Sequence, residues 1–369
     1  MRVLYGVQTT GHGHLVRSTP IILQLRELGH QVDVLLSGPP PAASWLARIG
    51  APLTTRPGLG FVADGGRIRY LCSGLQARPL RFLRDVLRTT GPEPDLIVTD
   101  FEPITAWMAR RRGLRSVGLG HQYAFAWPQV PRARGNMITR GVLDWFAPAS
   151  IPVGFHWDTF GAPVLPPPVA PEIRALTRRS LEPDLILVYL GFEPLGRLVP
   201  LLKQFPRQRF HVYAKVNEES KEQNVTVRPV SRGHFVAGLD QCAGVIANAG
   251  FTLASECLHL GISILVQPID GHVEQESNAL ALEQLGIGRV TRRLSRNDLA
   301  TWLEQPPPPA QRYSDATAGI VRWLDGGAVE SLPALSDRLW ALCGPLSQDR
   351  GIAPAGAPTA RQSRAADTR

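Results

Sequence analysis

The sequence lacks the features that would place it within a membrane or make it depend on disulfides. None of its apolar runs approaches the ~20 residues that a membrane-spanning helix needs. Its first residues, MRVLYGV, predict a strand and not a secretory signal. Four cysteines are present, at Cys72, Cys242, Cys257 and Cys343, and no two form a CxxC pair. We therefore expect a cytoplasmic protein with reduced thiols and without a disulfide or zinc site.

The balance of charge is basic and favours anionic partners. The formal net charge is +9, and arginine supplies most of the positive charge. Nucleoside diphosphates, anionic lipid surfaces and nucleic acid would all suit such a balance. The sequence has neither a basic platform interleaved with aromatic residues nor a helix-turn-helix signature, so nucleic acid is the poorest of the three explanations.

The 369 residues exceed what one hydrophobic core usually organises, so two domains are expected. Val3–Val7 predicts a strand, and the loop TTGHGH follows it. Apolar residues then recur at helical spacing from Ile21 to Leu28, and Val32–Leu36 predicts the next strand. This βαβ pattern is typical of a parallel sheet with helices on both faces.

The same alternation continues through both halves of the chain. Strands are predicted at Leu96–Val98, Ser116–Leu119, Leu185–Leu190, Phe210–Ala214, Val225–Val227, Val245–Ala247 and Ile264–Val266. Helices are predicted at about Leu195–Phe205, Thr252–Leu260 and Glu274–Leu285. The fold class is therefore α/β, with two Rossmann-like, doubly wound parallel-sheet domains that face a cleft.

Proline and low periodicity mark the predicted domain boundaries. The stretch FGAPVLPPPVAPEIR disfavours helix and central strand, and it predicts a semi-rigid linker over residues 166–172. The N-terminal domain is then predicted over residues 1–165 and the C-terminal domain over 173–344. Residues 345–369 are rich in Gly, Ala, Pro, Ser and Arg without periodicity, which predicts a disordered tail.

The stretch 244–288 contains the clearest chemical signal. A strand ends at Asn248, and Gly250 precedes a helix that begins near Phe251 or Thr252. Gly250 allows a sharp turn and a close approach of the backbone to a ligand, and the free amides at the helix start favour an anion such as a diphosphate. Glu256 lies one turn later, where it could accept hydrogen bonds from a ribose.

The next strand leads to a second set of polar side chains. Glu274, Gln275 and Asn278 offer a carboxylate beside amides, which suits binding to sugar hydroxyls. Asn278 has an equally good structural interpretation, because an asparagine at such a place often caps or bridges a turn.

These motifs resemble those of a known family. N-A-G-F-T at 248–252, S-E at 255–256, E-Q at 274–275 and N-A at 278–279 are similar to the donor-binding segment of glycosyltransferases with the two-Rossmann-domain GT-B fold. UDP-glycosyltransferases and the lipid-linked N-acetylglucosaminyltransferase of peptidoglycan synthesis have this fold. A group of bacterial and archaeal glycosyltransferase-like proteins also shares G-H-G-H-x-x-R, here Gly11–Arg17, and P-D-L-I-x-x-D-F-E-P, here Pro94–Pro103.

The resemblance implies a role for each of several residues. Asn248 would belong to the donor site, Gly250, Phe251 and Thr252 would contact the diphosphate, and Glu256 would bind the ribose. Glu274 and Gln275 would bind the transferred sugar. The backbone near Phe235 and Val236 would contact the base. The co-substrate would be a nucleotide sugar, with a UDP-sugar as the expected donor, and no further cofactor would be needed.

The N-terminal motifs supply a candidate base and candidate acceptor contacts. His14 lies at the predicted carboxyl edge of the first sheet, and a histidine titrates near neutral pH, as proton transfer requires. Asp100 ends another strand at that edge and would orient it. Further candidates for contact with acceptor or phosphate are Gly13, Arg17, Glu102, which is also the alternative base, and His121. His121 suits a packed loop residue equally well, and Arg17 a solvated side chain. No DxD motif is present, so we expect no metal.

A basic amphipathic segment at 78–90, RPLRFLRDVLRTT, has two interpretations. It predicts a helix whose basic face is merely solvated, or a surface that contacts anionic membrane and brings a lipid-linked acceptor to the cleft. The expected location is the cytoplasm, at the inner face of the membrane if the second interpretation holds. A lipid-linked acceptor or a cell-envelope glycan would then be the partner.

Three other functions use the same features. A nucleotide-sugar hydrolase would use water as acceptor, and one such enzyme carries G-x-G-H-x-x-R in its first loop. A nucleotide-sugar 2-epimerase shares the fold, but more carboxylates would be expected around its site. A sensor would bind a nucleotide sugar without turnover. Release of free sugar in the absence of an acceptor distinguishes the hydrolase, and binding without turnover distinguishes the sensor.

Overall fold

Two large sheets, one from each half of the chain, organise the protein. The computed structural model describes residues 1–10, 12–59, 63–64, 67–68, 79–88, 93–135, 141 and 145–344. Among the helices of these residues, none is both long and apolar enough to cross a membrane. The predicted tail over 345–369 lies outside the described residues.

The first sheet is parallel and has the strand order β3-β2-β1-β6-β7-β8. Its strands are β1 (Arg2–Gln8), β2 (Gln31–Ser37), β3 (Leu53–Arg56), β6 (Leu96–Asp100), β7 (Ser116–Leu119) and β8 (Ile151–Val153), while β4 (Ala63–Asp64) and β5 (Arg67–Ile68) pair separately. The helices are α1 (His12–Glu27), α2 (Ala43–Ile49), α3 (Pro79–Arg88), α4 (Pro103–Arg112) and a 3-10 helix (His121–Ala126).

The second sheet has the order β11-β12-β10-β9-β13-β14-β15, and its strands are parallel except for β11. They are β9 (Glu182–Tyr189), β10 (Arg209–Ala214), β11 (Ser220–Glu222), β12 (Val225–Pro229), β13 (Cys242–Ala247), β14 (Ser263–Val266) and β15 (Arg289–Val290). The helices are α5 (Pro171–Arg174), α6 (Leu195–Leu202), α7 (Arg232–Gln241), α8 (Phe251–Leu260), α9 (Val273–Leu285), α10 (Arg296–Leu303), α11 (Ala316–Asp325) and α12 (Leu332–Ala341).

The predicted fold class is confirmed, and the predicted strands lie within one to three residues of the observed ones. Strands such as β6 are buried at every position, as expected when helices cover both faces of a parallel sheet. The predicted loop TTGHGH is wrong in its second half, because α1 already begins at His12. The first turn of a helix has no intrahelical acceptor for its amides, so glycine and histidine are tolerated there.

The chain crosses back to the first sheet near its end. Residues of α11, including Ile320 and Trp323, share the apolar core that also contains Val3 and Tyr5 of β1. The His30 imidazole lies 2.9 Å from a carboxylate oxygen of Asp325. Helix α11 therefore packs on α1, whereas α10 packs in the core of the second sheet. The domain boundaries drawn from the sequence stay a prediction.

Candidate functional site

In each sheet the chain connections run outward in opposite directions from one pair of central strands, β1 and β6 in the first sheet and β9 and β13 in the second. The candidate residues lie near these pairs. In the first sheet, β1 leads outward to β2 on one side, and β6 leads to β7 on the other. In the second sheet, β9 and β13 diverge in the same way. Ligands of doubly wound sheets bind beyond the carboxyl ends of the strands at such switch points. His14 follows β1, Asp100 is the last residue of β6, and Gly250 follows β13.

His14, Arg17 and Asp100 form one cluster at the first switch point. Nδ1 of His14 lies 2.9 Å from Oδ1 of Asp100. The Arg17 guanidinium also contacts this carboxylate, with Nε 2.9 Å from Oδ2, and the Ser18 hydroxyl donates to Oδ2 at 2.6 Å. Asp100 and Arg17 are only 1% and 6% exposed. The structure thus brings the predicted dyad together and adds Arg17 to it as a buried ion-pair partner.

The tautomer of His14 decides whether it can act as a base. If Nδ1 has the proton and donates to Asp100, then Nε2 has a free lone pair that can accept a proton. The Nη2 atom of Arg17 lies 2.8 Å from the same Nδ1 and competes as a donor. Burial opposes ionisation of Asp100, but Arg17 and His14 outweigh it and lower the pKa of this carboxyl. An ionised Asp100 favours the proton on Nδ1.

Glu102 caps helix α4 and is fully buried. Its Oε1 accepts from the amide of Ile104 at 2.8 Å, and its Oε2 accepts from the amide and the hydroxyl of Thr105 at 2.7 Å. Burial raises the pKa of Glu102 despite these bonds. Both oxygens are used within the fold, so we correct the sequence-based suggestion that Glu102 contacts the acceptor or replaces His14.

Helix α8 begins at Phe251, as predicted, and its first amides are available to a ligand. No acceptor among the described residues bonds to the amides of Phe251, Thr252 or Leu253. Gly250 precedes them, and a Cβ placed on it would have no described atom within 4 Å. Amides at a helix start, together with the helix dipole, bind anions. The expected anion site is therefore open on the Gly250 side.

Gly13 brings the start of α1 against the start of α8. A Cβ on Gly13 would lie 2.6 Å from the hydroxyl oxygen of Thr252. That separation is too short for a methyl group, so only glycine fits without movement. The two candidates, predicted separately from two motifs, are thus neighbours across the two halves of the chain.

The contact between Gly13 and Thr252 predicts that replacing this helical glycine with alanine destabilises the protein. Alanine in place of a helical glycine normally stabilises a protein by about 0.5–1 kcal/mol. We expect Gly13→Ala to lower the free energy of unfolding by about 1–3 kcal/mol instead, because the methyl group collides with Thr252. In a Thr252→Ala background the same change should become neutral or stabilising. Urea denaturation of the four proteins measures this, and additive effects would contradict the contact.

His121 and Asn278 contact each other inside the protein. Both are fully buried, and Nε2 of His121 lies against Oδ1 of Asn278. Nδ1 of His121 is 2.8 Å from the carbonyl oxygen of Phe155, and Nδ2 of Asn278 donates to the carbonyl of Ala249 at 2.8 Å. Burial lowers the pKa of His121. We therefore correct two expectations: His121 does not reach an acceptor, and Asn278 does not reach a sugar, in this arrangement.

An aromatic stack fixes the start of α8. The ring of Phe251 lies parallel to that of His121, with centroids 3.9 Å apart. Trp157 stacks on Phe251 at 5.1 Å, and its indole nitrogen donates to the hydroxyl of Ser255 at 2.8 Å. Trp157 was not singled out in the sequence, since a tryptophan far from any motif gives no signal. The stack joins the first half of the chain to the candidate anion site.

Glu274, in the first turn of α9, contacts the first half of the chain. Its Oε2 accepts from Nε2 of Gln122 at 3.0 Å, and the residue remains partly exposed. Burial would raise the pKa of Glu274, but three histidines lower it below its ordinary value, namely His272, His121 and His14. The hydrogen bond with Gln122 joins the start of α9 to the 3-10 helix of the first half of the chain. Gln275 instead uses its Oε1 to accept from the amide of Ile269 at 3.0 Å.

Glu256 is buried and paired with Arg232, which sequence reasoning missed. Nη2 and Nη1 of Arg232 lie 2.7 and 3.0 Å from Oε1 and Oε2 of Glu256. Burial raises the pKa of Glu256, and Arg232 opposes this effect. Both oxygens of Glu256 are therefore bonded within the fold and the residue is only 1% exposed, so a ribose would first meet the partly exposed Arg232. An arginine 24 residues from its partner carries no local signal.

The remaining predicted donor residues make contacts within the second half of the chain. Phe235 packs its ring against Tyr213 at 4.9 Å, and Val236 is partly buried beside the core. Asn248 donates from Nδ2 to the carbonyl of Gln267 at 3.0 Å, which ties the ends of β13 and β14 together. Within the described ranges, no three His, Cys, Asp or Glu side chains cluster as metal ligands would.

Comparisons with known proteins give a family and a fold. A family model described as glycosyl transferase family 1 matches residues 1–307. Among curated proteins, none matches the chain. The solved glycosyltransferase of kitacinnamycin has a TM-score of 0.55 and 16% identity, covering 93% of this chain and 99% of its own.

Two further solved structures are similar. The glycosyltransferase SnogD from Streptomyces nogalater has a TM-score of 0.52 and 19% identity, covering 93% of this chain and 99% of its own. The spinosyn rhamnosyltransferase SpnG, complexed with thymidine diphosphate, has a TM-score of 0.52 and 17% identity, covering 93% and 97%. At these identities the likeness shows the fold, and the expected GT-B arrangement is confirmed.

Proposed function

Because this chain belongs to glycosyl transferase family 1, we propose that it transfers a sugar from a nucleoside diphosphate donor to an acceptor hydroxyl, with inversion and without a metal ion. The observation that supports this proposal is the pairing of two sites. The His14–Asp100 dyad lies at one switch point, and the open start of α8 belongs to the other half of the chain. The contact between Gly13 and Thr252 brings the two together.

In the proposed reaction, the acceptor hydroxyl gives its proton to Nε2 of His14. The hydroxyl oxygen attacks the anomeric carbon from the face opposite the diphosphate, and the bond from that carbon to the diphosphate oxygen breaks. Asp100 stabilises the imidazolium that forms. The departing negative charge is stabilised by the amides of Phe251 and Thr252 and by the dipole of α8. A single displacement inverts the anomeric configuration.

We propose a UDP-sugar as the donor, with the ribose at Glu256 and Arg232 and the transferred sugar at Glu274. Arg232 is partly exposed beside the buried Glu256 that orients it, and its guanidinium can donate to vicinal ribose hydroxyls. The solved SpnG structure has thymidine diphosphate bound. Binding of thymidine nucleotides should therefore be measured beside that of uridine nucleotides. We place the enzyme in the cytoplasm, with a lipid-linked or cell-envelope acceptor.

Incubation of the purified chain with UDP-sugars and lipid extract tests the reaction. Sugar incorporation that requires the extract supports the transferase. Release of free sugar at the same rate without any acceptor would identify a hydrolase instead. Binding without turnover in either mixture would contradict catalysis.

Gly250→Val gives a sharper test of the anion site. The new side chain would project into the open space beside the amides of Phe251 and Thr252, and φ of −75° at Gly250 is compatible with valine. We expect an unchanged melting temperature without ligand. The donor should bind at least about tenfold more weakly, because the diphosphate loses its close approach to the backbone.

Calorimetric titration with UDP and thermal shift measure both quantities. Gly250→Ala is the graded control and should weaken binding less. If UDP stabilises Gly250→Val as well as the original chain, the diphosphate does not bind at the start of α8.

A further inference from the structure

Helix α3 presents an apolar face that no described residue covers. Leu80, Leu83 and Leu87 are 83%, 52% and 42% exposed. The opposite face of the same helix is used in packing, where Val86 and the partly buried Phe82 join a core cluster on α4. Three exposed leucines on one helix of ten residues form a contiguous surface, and such surfaces mark binding sites.

Arginines surround these leucines. Arg81 and Arg84 lie on α3 and are exposed. On the neighbouring α4, the guanidinium of Arg110 lies 5.5 Å from the ring centroid of Trp107 and 5.2 Å from that of Trp145, and Trp145 is 57% exposed. Trp107 packs against the same core cluster as Phe82, which places this group beside α3. Exposed leucine, tryptophan and arginine together are typical of helices that lie in a membrane interface.

The topology places the surface near the candidate site. In a parallel sheet, the helix that precedes a strand runs opposite to it. Helix α3 precedes β6, so its first turn lies at the carboxyl edge of that strand, and Leu80 is in this turn. Asp100, at the carboxyl end of β6, belongs to the dyad. A partner bound to α3 would therefore lie beside the rim of the cleft.

We propose that the face formed by Leu80, Leu83, Leu87, Arg81 and Arg84 docks on an anionic lipid bilayer. The leucines insert among the lipid chains, and the arginines contact the negatively charged headgroups. A second copy of the chain is a poorer occupant, because a symmetric contact would bring arginines against arginines. The inference goes beyond sugar transfer and does not depend on it, since docking needs neither donor nor dyad.

Vesicle sedimentation with the full chain tests the proposal. The probes are vesicles of phosphatidylcholine alone and vesicles in which about a third of the lipid is phosphatidylglycerol. We expect the protein to sediment with the anionic vesicles, to bind neutral ones far more weakly, and to dissociate as salt is added. Absence of sedimentation with anionic vesicles would overturn the proposal.

Two variants assign the binding to α3. The triple change Leu80→Ser, Leu83→Ser and Leu87→Ser should weaken binding at least about tenfold, because the inserted apolar area is lost. Arg81→Gln with Arg84→Gln should weaken it roughly 25-fold, at about fivefold for each charge near the surface. These side chains are exposed, so melting temperatures should not change.

Leu181→Ser and Arg207→Gln are matched controls, since both residues are exposed and lie on the second half of the chain. They should sediment as the original chain does. Equal sedimentation of the α3 variants and the controls would overturn the assignment. Conversion of a dimer to a monomer by the leucine changes, seen by size-exclusion chromatography without any change in sedimentation, would show that a second copy covers the face.

Discussion

Replacing His14 with alanine is expected to lower kcat about a thousandfold while the KM for the donor changes less than about twofold. A positioned base contributes roughly 10²–10⁴ to a proton-transfer step. In the proposed reaction His14 acts on the acceptor hydroxyl and the donor site is at α8, so the loss is expected in the chemical step. The measurement is initial-rate kinetics of sugar transfer at several donor concentrations.

His30→Ala is the control for this change. His30 is also an N-terminal histidine paired with a carboxylate, that of Asp325, but it lies at the far end of α1 from His14. Its replacement should leave kcat unchanged. A His14→Ala enzyme that retains its full kcat would remove the dyad from the mechanism while leaving the anion site at α8 intact.

Asp100→Asn should have the largest effect on stability. The aspartate is the carboxylate partner of the buried Arg17. Without this partner, the charge of Arg17 would be neither paired nor solvated by water. Removal of one partner from a buried ion pair costs about 3–5 kcal/mol. We therefore expect the free energy of unfolding at neutral pH to fall by about that amount. Urea denaturation measures it, and a change below about 1 kcal/mol would contradict a buried charge on Arg17.

The same pair predicts a dependence on pH. The pKa of Asp100 is lowered in the folded chain. Its stabilising contribution is therefore fully present above the ordinary aspartate pKa of about 3.9 and is lost as the pH falls through the folded value. The stability difference between the original chain and Asp100→Asn should therefore shrink as the pH falls below about 3.9. A difference that stayed constant through that acidic range would contradict this pKa direction.

Local patterns were sufficient to predict the fold. Buried strands such as Leu96–Val98 give continuous apolar runs, and helices such as Thr252–Leu260 give apolar spacing with a glycine at the end. These signals depend on a few consecutive residues. The start of α1 was missed because His12, Gly13 and His14 have poor helix propensity, and contacts with the second half of the chain, such as that of Gly13 with Thr252, are not visible locally.

The candidate site was predictable only in part. Motifs identified His14, Asp100 and Gly250, because each lies at or just after the carboxyl end of a strand. The contact between His121 and Asn278 joins residues 157 positions apart, so no spacing could indicate it. Arg232 was missed for the same reason. Sequence reasoning found the residues that follow strands, and the pairing between the two halves required the structure.

The return of α11 to α1 has a consequence for biosynthesis. Asp325, which pairs with His30, is made 295 residues after it. At about 5–20 residues per second, the ribosome needs roughly 15 seconds to a minute to supply that partner. Throughout this interval the nascent first half exposes apolar side chains that α11 later covers. Chaperones that bind emerging chains are therefore expected to hold this half until translation nears its end.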